Sequence, residues 1–296
     1  PSHFCGIAGL KPSRGLVPDT GVLNCFPPAN WHWNSTGPMS RFVEDLELVL
    51  DVIANKRRPT SNHPAIGNLR VAYFLENGVA EPPADEIRQA VRDAAEHLGE
   101  LGARVSEDRP DCIAESTDNW WFNMNPDLGT AFQLAREDYA KLAGRKEVSD
   151  NYLPIAKLFL EWQELLVNQA RYEPKARYEA AKNLHAFRKG MARFMQNYDV
   201  ILCPPDGKVA PEFVDGVDHI PPLKDIYQEV IIKPGNYTNA FNLTGWPAAC
   251  VPVSQTKESL PVGVQIAAKT GHDGLVLNVA KRLESRFGGW KMPHAV

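Results

Sequence analysis

Four short apolar runs constrain this chain more than any other feature: residues 69–75, 200–203, 248–253 and 262–267. Each is rich in β-branched or aliphatic residues and bounded by Gly, Pro or Asn, the pattern of strands buried in a sheet. Between them the period changes from two to about 3.6. Asp85 opens a stretch in which Ile87, Val91, Ala94, Leu98 and Leu101 recur at helical spacing, and Gly102 closes it. Residues 103–105 read as a further strand. Residues 42–53 and a final segment from about Asp273, with Leu275, Val279, Leu283 and Phe287 on one face, read as amphipathic helices. Strands alternating with helices predict an α/β fold, a mixed central β-sheet flanked by helices.

From about 118 to 197 the pattern is helical almost throughout, broken at Pro126, Gly144, Pro154 and Pro174, which predicts a helical insertion. Its last helix presents Leu184, Phe187, Met191 and Phe194, and residues 204–222 follow as a Pro- and Gly-rich surface loop. No internal repeat or clean boundary divides the chain, so 1–296 is read as a single domain.

With 44% hydrophobic residues, a net charge of −4 and scattered basic residues, the chain has the composition of a folded protein and no basic face for nucleic acid. No run long enough for a membrane span occurs, and no leader is visible. Cys5, Cys25, Cys112, Cys203 and Cys250 are odd in number, widely spaced and set among apolar residues; they read as reduced core thiols of a cytoplasmic protein. The eight histidines lie singly and no Cys-x-x-Cys pair occurs, so neither a metal nor a cofactor is expected.

Five motifs then stand in order along the chain. They are Pro1-Ser2-His3-Phe4-Cys5-Gly6-Ile7-Ala8-Gly9-Leu10-Lys11-Pro12-Ser13-Arg14-Gly15; Thr36-Gly37-Pro38-Met39-Ser40-Arg41; and Tyr198-Asp199-Val200-Ile201-Leu202-Cys203-Pro204-Pro205. Tyr237-Thr238 through Phe241-Asn242 to Gly245-Trp246-Pro247 is the fourth; Val251-Pro252-Val253 with Leu260-Pro261-Val262-Gly263-Val264-Gln265 is the fifth. Together they resemble the amidase signature family, from the closing half of its signature to its C-terminal block. Residues 56–197 carry no motif and only a compatible layout.

The resemblance implies an amide hydrolase in which a serine nucleophile is activated by a lysine through a bridging serine, with oxyanion donors from a Gly-rich loop. In the family these residues precede the position of Pro1, so no catalytic residue is expected in this chain. The implied partners are a small-molecule amide and the missing N-terminal part of the same fold, and a homodimer is compatible with this reading. Two classes stay open: the C-terminal part of such a hydrolase, or a non-catalytic scaffold or transamidase-type subunit of an amidase-like complex. An upstream reading frame carrying the Gly-Ser-rich loop and the lysine would distinguish the two.

Within the chain, Pro1 with its fixed φ, and Gly6 and Gly9 with their close backbone approach, are expected to wall the nucleophile loop. His3 and Cys5 would share a face if extended, but read as a polar residue and a small hydrophobe. Ser2, Ser35 and Ser40 read as turn or capping residues. Substrate binding is expected at Trp121 and Phe122 in the aromatic cluster opened by Trp120, since consecutive aromatics on a helix cannot all face one core. It is also expected at Gly235, Asn236 and Thr238. The resemblance puts Gly235 where glutamine-specific transamidase subunits carry an acidic residue for the substrate ammonium, which implies a neutral or bulkier acyl group here. Gln265, polar within an apolar strand, is expected to satisfy a buried backbone group.

Overall fold

The computed structural model describes residues 1–18, 35–55, 64–78, 81–123, 174–211 and 237–292. Its first element is a helical turn, α1 (Ser2–Cys5), which ends at Gly6 with φ +62°. A side chain at Gly6 would be strained by that φ and would sit 2.9 Å from Pro261 Cβ. After it come β1 (Ala8–Lys11), β2 (Met39–Ser40), α2 (Val43–Ile53), β3 (Arg70–Tyr73), α3 (Asp85–Glu100) and β4 (Arg104–Glu107). Residues 116–123 are helical, α4, and are followed by α5 (Pro174–Phe194), β5 (Val200–Cys203), α6 (Asn239–Thr244), β6 (Ala248–Gln255), β7 (Pro261–Ala267) and α7 (Asp273–Phe287).

Among the described residues the strands join one mixed sheet of seven in the order β2-β1-β6-β7-β5-β3-β4. The pairs β3–β4 and β3–β5 are parallel, while β1–β2, β1–β6, β6–β7 and β5–β7 are antiparallel. The four expected strands therefore share a sheet. Arg70 fixes the register at one end: its guanidinium and its N–H both reach the Asp199 carboxylate, with Nη2 to Oδ1 at 2.8 Å.

Alternation along the strands divides the core between the two faces of the sheet. On β7, Val262, Val264 and Ile266 join one cluster with α2, α3 and α7; Ala267 joins the other with Phe187 of α5 and Phe241 of α6. Helix α7 buries Leu275, Val276, Leu277, Val279, Ala280 and Leu283, each large side chain stabilising by about 1.5–3 kcal/mol. It holds α2 through Glu284, whose Oε1 accepts the Val43 N–H at 2.9 Å, and through the Lys281–Glu47 ion pair. Helix α4 is tied to α5 by Asn123 Nδ2 donating to the Ala180 carbonyl at 3.2 Å. No helix among the described residues is long and apolar enough to cross a membrane.

One expectation fails, that of Cys5 as a core thiol. Residues 1–5 form a helical turn, so His3 and Cys5, about 200° apart around its axis, do not share a face. In consequence Cys5 is exposed and is no core thiol, although Cys5, Cys112, Cys203 and Cys250 are all free.

Candidate functional site

Segments far apart in sequence line a half-open cavity of about 500 Å³. Residues 1–4 supply one wall and Gly9, Leu10 and Lys11 of β1 another; Ser35 and Gly37 precede β2, and Met39 belongs to it. The opposite side is made by Pro205 and Asp206 after β5, Thr238 and Phe241 at α6, residues 248–250 of β6, and Gln265 of β7. Gly9 is required by this closure, because a Cβ there would lie 2.0 Å from Ser2 Oγ.

His3 holds the wall in place. Its Nε2 donates to the Lys208 carbonyl at 3.0 Å and its Nδ1 accepts the Gly263 N–H at 2.8 Å, which sets a single neutral tautomer. Gly263 faces Pro252 beside the irregularity between Pro252 and Ser254, where the β6–β7 register shifts. Burial pushes the His3 pKa down to about 4, against the raising effect of the Lys208 carbonyl. With both nitrogens engaged, His3 has no free lone pair with which to act as a base, and Cys5 lies off its face.

Polar groups of the cavity (Lys11, Asp206, Cys250) and of its surroundings (Ser13, Ser40, Cys203) are restrained in similar ways. Burial pushes the Cys203 and Cys250 thiols up to about 12, so neither is a thiolate at neutral pH. Ser13 is bound to Asp273 through its N–H (2.7 Å to Oδ1) and its hydroxyl (2.5 Å to Oδ2), and Ser40 Oγ donates to the Phe42 carbonyl at 2.6 Å. Asp206 is raised above the usual carboxylate range by burial, although the Lys208 N–H donates to it at 2.9 Å. Lys11 donates Nζ to the Pro12 carbonyl at 3.1 Å, and burial lowers its pKa to about 8, countered in part by Asp273. Among the described residues the cavity thus offers positioned donors and acceptors without a nucleophile paired to a base.

Of the residues expected to bind substrate, Thr238 lines this cavity together with residues 1–4. Gly235 and Asn236 lie outside the described residues. Trp121 and Phe122 are not among the residues lining the cavity: Trp121 is buried, at 3% exposure, while Phe122 is 43% exposed. Their neighbour Trp120 packs against the core cluster of α5 and α6. The divergence of consecutive aromatics is as helix geometry requires. Lys11 and Asp206 had no sequence signal of a pocket role.

The sequence profile of the amidase family matches residues 1–277. An acylamidase of Rhodococcus erythropolis is 28% identical over 309 residues, covering 96% of this chain and 58% of the relative. An indoleacetamide hydrolase of Bradyrhizobium japonicum is 28% identical over 304 residues, covering 97% and 60%. Among solved structures, 6-aminohexanoate cyclic dimer hydrolase aligns with a TM-score of 0.76 at 23% identity over 97% of this chain and 62% of that one. The fold is therefore shared, and the chain spans about 60% of the length of the relatives it matches.

Proposed function

The chain belongs to the amidase signature family, and from that premise we propose that it is the C-terminal part of a hydrolase that cleaves a carboxylic amide to an acid and an amine or ammonia. In this reading a serine preceding the position of Pro1 attacks the amide carbonyl. The amine leaves carrying a proton, and water then releases the acid from the acyl-enzyme. The bridging serine and the lysine that move the proton stand farther upstream still.

The observation that carries the proposal is the convergence of residues 1–4 with Thr238, Asp206 and Gln265 on one cavity. The family places the nucleophile a few residues before the position of Pro1, so an acyl group held in this cavity would lie next to that serine, as near-attack catalysis requires. This chain contributes the walls of the pocket and not its chemistry, and it is inactive alone. Thr238 belongs to the acyl pocket in this reading, with Gly235 and Asn236 immediately before its helix. A cytoplasmic location belongs to the same reading, which takes the widely spaced cysteines as thiols.

The test is turnover of a panel of aryl and aliphatic amides by the protein encoded by the whole reading frame, beside the 296-residue chain alone. Hydrolysis by the former and none by the latter is expected. Hydrolysis by neither would favour a scaffold or subunit role, and hydrolysis by the chain alone would overturn the proposal.

A further inference from the structure

Gln265 is 4% exposed and stands at the centre of three adjacent strands, in register with Cys203 on one side and Cys250 on the other. Among the described residues its side-chain hydrogen bonds are all made by Nε2: Tyr237 O at 3.2 Å, Pro204 O at 3.4 Å and Cys203 Sγ at 3.3 Å. Backbone carbonyls only accept hydrogen bonds. Reversing the carboxamide would set its oxygen against two carbonyl oxygens and leave both without a donor, so the orientation of the amide is fixed.

The consequence falls on Oε1. Among the described residues no donor reaches it, yet it is not one of the sealed, partnerless atoms of the core, and Gln265 lines the cavity. Gln265 lines the cavity, and its Oε1 is the side-chain polar atom that no described donor occupies.

We propose that Gln265 Oε1 is a specificity-determining acceptor of the cavity, reading an N–H donor on the bound molecule. The inference rests on the reading that the cavity takes an amide. A ligand with an N–H at this point completes the carboxamide's hydrogen bonding, whereas an ester of the same shape sets oxygen against oxygen. A site built around such a bond discriminates against the analogue that lacks it. The same residue fixes the pocket's outline, because Nε2 joins the chain leading to Asp206 to the chain leading to Thr238.

The test is a ligand-observed NMR titration of the folded 296-residue chain with phenylacetamide and its donor-free isostere methyl phenylacetate. The wild-type chain is expected to bind the amide about tenfold more tightly, the equivalent of one net hydrogen bond. Gln265→Met, of similar volume, is expected to bring the two within about twofold. Equal affinities in the wild type, binding of neither probe, or a preference that survives in the variant would each overturn the inference. If the variant loses its far-ultraviolet circular dichroism, the wild-type comparison still decides, supported by the carboxamide ¹³Cδ resonance of Gln265. That resonance should shift with the amide and not with the ester, and no shift counts against the proposal. Turnover by the longer protein is measured separately: preference without turnover removes the amidase reading and leaves the acceptor, and turnover without preference does the reverse.

Discussion

Replacing His3 with alanine probes the wall of the cavity most sharply, because its ring bonds two segments remote in sequence, at Lys208 and Gly263. Loss of Nδ1 leaves the buried Gly263 N–H without its acceptor, at about 1–3 kcal/mol. Loss of the Nε2 bond to Lys208 removes about 1 kcal/mol more. His3→Ala should therefore lower the unfolding free energy by about 3 kcal/mol at pH 7.5, read from urea denaturation followed by circular dichroism. A pH arm separates the imidazole from mere packing. The folded pKa of about 4 lies below the ordinary imidazole value of 6.5, so above pH 6.5 the ring is neutral in both states and carries no penalty. As the pH falls from 6.5 towards 4, the unfolded chain takes up a proton that the folded chain refuses, and stability drops by up to roughly 3 kcal/mol. The variant lacks that drop. A His3→Ala cost below about 1 kcal/mol, or identical pH slopes for wild type and variant between 6.5 and 4, would refute the reasoning.

Lys11→Met should stabilise the protein at pH 7 by about 2 kcal/mol, since the burial that lowers the amine to about 8 penalises its charged form. The wild type, unlike this variant, should gain stability as pH rises from about 8 towards 10.5, the window in which the unfolded chain binds the extra proton; parallel urea titrations at pH 7, 8.5 and 10 check both statements. Trp121→Ala should cost about 3–5 kcal/mol in the same assay, as for a core tryptophan, whereas the exposed Phe122→Ala should stay within about 0.5 kcal/mol. The reverse order of the two would show that α4 is held differently.

The strands most legible in the sequence were those whose own residues decide their state. β5, with all four residues buried, and β6 and β7, rich in valine and isoleucine, announced themselves by composition. β1 and β2 did not. Ala8–Lys11 and Met39–Ser40 are too short to show a period, and β1 is a strand because it pairs with β6 some 240 residues away. α1 and α6 were missed for a related reason: four and six residues beside Gly and Pro carry no helical periodicity. At the site, Gln265 was legible because a lone amide in an apolar strand must find partners, and its Nε2 does so at Pro204 and Tyr237. Lys11 and Asp206 were not, since the burial that shifts their pKa is created by segments meeting only in the folded chain. Nor was the exposure of Cys5, which depends on one helical turn.

The most direct test of the central claim is covalent trapping with a fluorophosphonate, which captures an activated serine, in the protein encoded by the whole reading frame. Peptide mapping by mass spectrometry then locates the adduct. The account predicts a single adduct on a serine that precedes the position of Pro1, and no adduct on the 296-residue chain alone. An adduct on Ser2, Ser35 or any other serine of this chain would contradict it.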